Sequence, residues 1–350
     1  MPNRMRSVLV TPALLCVLGL SAAAAAQDAA TFDPDGTAHI TRVVPEPALV
    51  SKEARAWLDS LTHMNRKPQS LQERRASTDE WRAQDSAEAL KHYPVSIHST
   101  LLGDVPVDEI TPLKMPAENR NRVFINLHGG GFNADSGSRI EGDPIANLAH
   151  TEVVSVYYRL APEHPFPAAV DDVIAVYQAL LKTHAPKNIA IYGTSAGAIL
   201  TGEVAVKLKQ LQLPLPAALG VFSGGGDFSR VGDSRQLFAL DGLPGNLQPT
   251  DAANLPDVEY VGHTSRRDPV LSPLFADLSG LPPTLLVTST RDMLLGDTTT
   301  LHRALLRQGV DARLVVFEAL PHAFWYHFEF PETREALELM AHFLDSTVGH

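Results

Sequence analysis

The sequence predicts an α/β fold with a mostly parallel central sheet and helices on both of its faces. Three observations predict it. Short apolar runs recur at residues 123–127, 153–158, 189–192, 219–222, 284–288 and 314–317. Helical stretches fall between most of them, at 144–149, 168–183, 196–211 and 298–308, and a last one covers 332–344. Gly193-Thr194-Ser195-Ala196-Gly197 stands where one such run meets one such helix. Runs that are apolar throughout are strands buried on both faces, and their alternation with helices makes the sheet mainly parallel.

Length and composition agree. A chain of 350 residues allows two domains, or one large domain with an accessory piece. With 44% hydrophobic and 20% charged residues it can bury a large core, which excludes a disordered chain, a coiled coil or a collagen. The net charge of -11 disfavours non-specific nucleic-acid binding.

Taken in order, residues 1–26 read as a secretory signal. Arg4 and Arg6 precede an apolar run, and Ala24-Ala25-Ala26 offers the small residues that a signal peptidase accepts. The apolar part is too short for a membrane span and contains Pro12. Cleavage after Ala26 would remove Cys16, the only cysteine, so the mature chain would have neither a disulfide nor a thiol nucleophile. The protein is therefore expected in the periplasm or the medium. Residues 27–48 read as a loose lead-in. Residues 49–92 read as two amphipathic helices, with Trp57, Leu58, Leu61 and Met64 at helical spacing. Their charges, among them Glu73, Arg74, Arg75, Asp79, Glu80 and Arg82, alternate in sign, the mark of a solvated face. Residues 27–94 thus precede a main domain at 95–350. A long stretch rich in Gly, Pro and Asp, 224–281, interrupts that domain; loops of this length are usually functional.

The chemistry concentrates at Ser195. A serine hydroxyl is a poor nucleophile unless a base takes its proton and the backbone presents it. A tight strand–turn–helix flanked by small residues does the presenting, and this is the nucleophile elbow. His128-Gly129-Gly130-Gly131-Phe132 follows another apolar run and matches the HGGG motif of lipases and esterases. Glycines there let backbone N–H groups face an oxyanion. His128 itself reads as structural.

A base and an acid are needed after the serine in the chain. Asp292 and His322 each lie just past an apolar run, at the strand ends where open α/β sheets place their sites. His322 would take the serine proton, and Asp292 would orient and stabilise the imidazole. Asp297 is the rival acid, although its place in a first helical turn suits an Asp that merely complements the helix dipole. The pairs His92/His98 and His322/His327 lack a third metal ligand. No nucleotide-binding glycine motif follows a strand. Neither metal nor cofactor is expected.

Together these motifs resemble the hormone-sensitive-lipase-like, or bacterial family IV, carboxylesterases of the α/β-hydrolase fold. The resemblance spans roughly 95–345. It also rests on Tyr158-Arg159-Leu160-Ala161-Pro162-Glu163-His164-Pro165-Phe166-Pro167-Ala168-Ala169, on Asp268-Pro269-Val270-Leu271-Ser272-Pro273-Leu274 and on Pro321-His322-Ala323-Phe324. Thr194 before the serine is similar to one branch of that family. The resemblance implies a triad of Ser195, Asp292 and His322, with oxyanion donors on Gly129, Gly130 and Ala196. It implies a helical cap from 49–92 and part of 228–265, with Trp57 and Leu61 on the acyl pocket. Its activity would be hydrolysis of short- to medium-chain carboxylic esters; a lactone, amide, carbamate or sugar acetate is the alternative bond. Non-catalytic receptors on this scaffold lose the histidine, which is kept here. The partner implied is a small ester, with no nucleic acid or membrane span, and a homodimer as the oligomeric state to test.

Overall fold

A computed structural model describes residues 29–41, 45–61, 69–135, 137–238 and 258–349. The expected signal peptide lies outside them. Two compact units are present, 1–46 and 47–350. In the first, β1 (Ala29–Phe32) pairs antiparallel with β2 (Ala38–Thr41), where the sequence suggested only a loose lead-in. Pro34-Asp35-Gly36 makes the turn: Thr37 N donates to Asp35 Oδ1 at 2.9 Å, and Gly36 has φ +90°.

The second unit opens with α1 (Lys52–Leu61) and α2 (Leu71–His92), the two helices expected. Ser70 caps α2 reciprocally with Glu73, which is why the helix begins there. Then come β3 (Val95–Leu102), β4 (Val105–Pro112), β5 (Val123–Leu127), α3 (Ser138–Ala149), β6 (Glu152–Val156), α4 (Ala168–Leu180), β7 (Ile189–Thr194) and α5 (Ala196–Gln210). The chain continues through β8 (Ala218–Phe222), α6 (Asp233–Phe238), α7 (Val258–Val261), β9 (Thr284–Ser289), α8 (Leu295–Arg307), β10 (Ala312–Phe317) and α9 (Pro331–Thr347).

One eight-stranded sheet runs β10-β9-β8-β7-β5-β6-β4-β3. The six strands read from the sequence are all parallel to their neighbours among themselves. The two that were not read, β3 and β4, form an antiparallel edge hairpin. β3 is half exposed and Asp108 and Glu109 interrupt β4, so no continuous apolar run marks them. Gly103 and Asp104 join them, both at positive φ, as a two-residue hairpin turn requires.

Successive residues of each central strand feed opposite layers. Val123, Ile125 and Leu127 pack with α4, α5 and α8, while Phe124 packs with α1, α3 and α9. The start of α3 differs from expectation. Pro144 looked like a first-turn residue, yet it lies inside the helix. The real start is set by Asp135, whose Oδ1 accepts from Gly137 N and Ser138 N at 3.1 Å each.

Candidate active site

β7 delivers Ser195, and α5 begins on the next residue. Ser195 has φ 58° and ψ -119°, a conformation costing a non-glycine residue roughly 1–3 kcal/mol. The surroundings hold it there. Ser195 N donates to Phe222 O on β8 at 2.9 Å. The flanking glycines are dictated by close approach: a Cβ on Gly193 would stand 2.3 Å from Leu127 O, and one on Gly197 1.7 Å. The helix can therefore start directly against β5, with the serine at the sheet's C-terminal edge.

Asp292 follows β9, and His322 follows β10. His322 Nδ1 is 2.8 Å from Asp292 Oδ1. The remaining ring nitrogen, Nε2, is the one left for a nucleophile. Asp292 is completely buried, and it accepts further bonds from Thr288 Oγ1 at 2.7 Å, Leu294 N at 2.9 Å and Ser223 Oγ. Burial pushes its pKa up, but the His322 charge and these donors outweigh that and hold it below the usual carboxylate value. Asp297 does not share this position. It sits in the first turn of α8 with its side chain against Gly225 and Gly232. The histidine turn is anchored as well: Trp325 Nε1 donates to Thr194 Oγ1 at 3.1 Å, which ties it to the residue before Ser195. Ser289 Oγ donates to Leu320 O in the same turn.

The loop after β5 abuts the start of α5, where a Cβ on Gly197 would stand 2.7 Å from His128 O. Among the described residues the N–H groups of Gly129, Gly130 and Ala196 donate to no other backbone or side-chain acceptor. Gly130 has φ +109°, a backbone conformation that favours glycine. His128 is buried and stacked on Tyr158 with ring centroids 4.1 Å apart. Tyr158 Oη donates to His128 O at 2.7 Å. His128 thus has the structural place read for it.

The charges of α2 depart from the sequence reading. They are not simply a solvated face. Arg74 donates to Gly130 O at 3.1 Å and to Asn133 Oδ1 at 2.6 Å. Arg75 donates to Asn133 O, to Ala161 O and, through two nitrogens, to Glu163. Arg82 pairs with the buried carboxylate of Asp135. Alternating sign along a helix carries no information about which loop will cover it, so the local pattern misled. The Tyr158–Ala169 motif belongs to the same frame, with Arg159 clamping Asp172 at 2.7 Å and Ala161 N donating to Phe132 O. Loss of one such charged bond is worth about 1.5 kcal/mol, or roughly tenfold in rate if it acts on the oxyanion donors. Arg74→Ala should therefore lower kcat by up to about tenfold and the melting temperature by a few degrees; an unchanged kcat would remove Arg74 from the frame.

Trp57 packs on aromatic neighbours. Its ring lies 4.3 Å from His327 and 5.7 Å from Phe330, centroid to centroid, on the side of α9. Helical spacing identified an apolar stripe but not the surface that covers it. The Leu61 side chain lies outside the described residues. A small cavity has a mixed lining, with Ile199, Phe228 and Leu294 beside the charged Asp227, Arg230, Arg235 and Asp297. Two of its lining residues bond site candidates: Ile199 N donates to Ser195 O, and Leu294 N donates to Asp292 Oδ1.

Among the described residues no three His, Cys, Asp or Glu side chains cluster as metal ligands. His92 bonds Glu88 at 3.1 Å, and His98 is exposed on the edge strand. His327 is packed by aromatic rings, and burial lowers its pKa to about 4. No helix among the described residues is long and apolar enough to cross a membrane.

A family model described as alpha/beta hydrolase fold matches residues 124–326. An acetyl-hydrolase of Streptomyces hygroscopicus is 33% identical over 241 residues, 67% of this chain and 79% of that protein. An esterase of Acinetobacter venetianus is 32% identical, covering 72% of this chain and 82% of its own. The chain belongs to the hormone-sensitive-lipase-like esterases of the α/β-hydrolase fold. Solved structures agree. The crystal structure of esterase E25 superposes with a TM-score of 0.77 at 34% identity, over 88% of this chain and 98% of that one. A hormone-sensitive lipase from a metagenome library gives 0.72 at 31% identity, over 84% and 98%. As a member of this family the protein is a carboxylic ester hydrolase.

Proposed function

We propose that this esterase hydrolyses short- to medium-chain esters through an acyl-enzyme on Ser195, with Asp292 and His322 completing the triad and α1, α2 and part of 228–265 as its cap. The observation that carries the reading is the Asp292–His322 bond at 2.8 Å beside the strained Ser195 turn. Nε2 of His322 takes the Oγ proton as Oγ attacks the ester carbonyl. The N–H groups of Gly129, Gly130 and Ala196 stabilise the oxyanion, each such donor being worth about 3 kcal/mol. The imidazolium then protonates the departing alcohol. In the second half His322 removes a proton from water, the hydroxide attacks the acyl carbonyl, and Ser195 leaves with its proton restored.

The name of one relative, an acetyl-hydrolase, supports a short acyl group. The reading includes export through residues 1–26, drawn from the sequence, and a homodimer, drawn from the family resemblance. Hydrolysis of p-nitrophenyl esters from acetate to palmitate tests it. Turnover should peak at short or medium chains, and a maximum at palmitate or no turnover by folded protein would overturn it. Protein recovered from the exported fraction should begin at Gln27, and light scattering should give twice the chain mass.

A further inference from the structure

Behind the triad, on the α3 side of the sheet, a carboxyl group has no role in the reaction above. Glu141 lies in α3 and is 3% exposed. Tyr326 Oη, four residues beyond His322, donates to Glu141 Oε1. Its other oxygen, Oε2, is buried without a hydrogen-bond partner among the described residues, near the hydroxyl of Thr194, the residue before the nucleophile. Thr194 in turn accepts from Trp325 Nε1 at 3.1 Å. The arrangement is tightly wedged: a Cβ on Gly137 would stand 2.4 Å from Glu141 Oε1 and 2.5 Å from Tyr326 Oη. Three segments far apart in the chain meet at this one carboxyl: α3, the end of β7 and the histidine turn.

We propose that Glu141 is a positioning residue of the esterase site, its carboxyl joining the turn that carries His322 to the strand end that carries Ser195. The proposal rests on the reading that Ser195 and His322 perform the chemistry. Glu141 touches neither, and acts by fixing the distance between the elements that hold them. Small displacements of such elements are costly, because a nucleophile and its base must meet within hydrogen-bond reach.

The electrostatics fit a neutral group. Burial pushes the Glu141 pKa up to about 8, against the bond from Tyr326 and the nearby Thr194 hydroxyl, while the nearby Asp135 adds to the rise. The titratable groups facing it are Asp135 ahead of α3, Tyr192 on β7, Tyr158 after β6 and Tyr326. The adjacent cation, Arg82, is paired to Asp135. A carboxyl raised this way is protonated in the folded chain while the unfolded chain has already ionised. Its contribution to stability is therefore complete at low pH, declines as pH rises from the ordinary carboxyl value, and is lost once pH passes about 8.

The test measures kcat and KM on p-nitrophenyl butyrate for Glu141→Ala, Glu141→Gln, Tyr326→Phe and the Glu141→Ala/Tyr326→Phe pair, beside Ser195→Ala. The Ala and Phe variants should lose about tenfold or more in kcat, with KM within about threefold. The Gln variant keeps the acceptor and should retain most of kcat. The double variant should lose less than the product of the single losses, because both remove the same link. Thermal melts add an independent readout: the melting temperature of Glu141→Gln relative to wild type should rise between pH 5 and pH 9. Wild-type kcat in both Glu141→Ala and Tyr326→Phe overturns the proposal, as does equal damage in the Ala and Gln variants. If Glu141→Ala does not fold, Tyr326→Phe, which removes one hydroxyl, decides alone. Activity surviving in Ser195→Ala would instead remove the catalytic reading beneath it.

Discussion

Ser195→Ala should abolish ester hydrolysis, with kcat falling by about 10⁴-fold or more, while the protein folds as before. Both halves of this expectation come from the elbow. The hydroxyl is the only atom removed, and it is the atom that forms the acyl bond. The β-carbon stays, so the side chain still occupies the same turn at φ 58°. The restraints on that turn do not involve Oγ: they are the Ser195 N to Phe222 O bond and the packing of Gly193 and Gly197 against Leu127. Melting temperature should therefore shift by no more than a surface substitution would cause, about 0.5 kcal/mol. Residual hydrolysis above water would come from the oxyanion donors alone. Stopped-flow or steady-state assay on p-nitrophenyl butyrate, with circular dichroism as the folding control, reads both. An active Ser195→Ala protein would move the nucleophile elsewhere.

Asp292→Asn should be nearly as damaging, by about 10³–10⁴-fold in kcat, and Asp297→Asn should cost less than about tenfold. Asp292 Oδ1 holds the imidazole N–H, and an amide nitrogen placed there would force the wrong tautomer. Oδ2 is also committed to Thr288 and Ser223, so the Asn side chain has no simple flip that satisfies every donor. In a fully buried position this conflict also costs stability, and the variant should melt lower than Ser195→Ala. Asp297 lies against the 225–232 segment rather than against His322. The reverse ranking of the two variants would transfer the acid role to Asp297.

How much of this was legible beforehand varied with the kind of interaction. The six central strands announce themselves because burial on both faces leaves an unbroken apolar run, and each was located to within a few residues. The edge hairpin of β3 and β4 does not, because β3 is half exposed and Asp108 and Glu109 interrupt the apolar run of β4. Its turn, Gly103-Asp104, was the available signal. The β1–β2 hairpin was likewise announced by Pro34-Asp35-Gly36 and passed over. Helix starts were misplaced where the cap is distant: the side chain of Asp135, not Pro144, starts α3.

The motifs determined more than the periodicity did. Gly-Thr-Ser-Ala-Gly dictates a strained turn because only glycine fits beside Leu127 on either side of the serine. The histidine-glycine loop and the order of serine, acid and base are likewise written in local residue types, which is why the elbow, the oxyanion loop and His322 could be placed from the chain alone. Tertiary structure decided the rest. It brought Asp292 within hydrogen-bond distance of His322. It turned Arg74, Arg75 and Arg82 from a surface pattern into braces of the 130–135 segment. It brought Tyr326 to Glu141 across 185 residues and Trp325 to Thr194 across 131. A local pattern encodes a backbone conformation and a buried face. Which side chain satisfies a given polar group depends on segments that meet only after the sheet has formed, and the cost of leaving such a group unpaired is settled there.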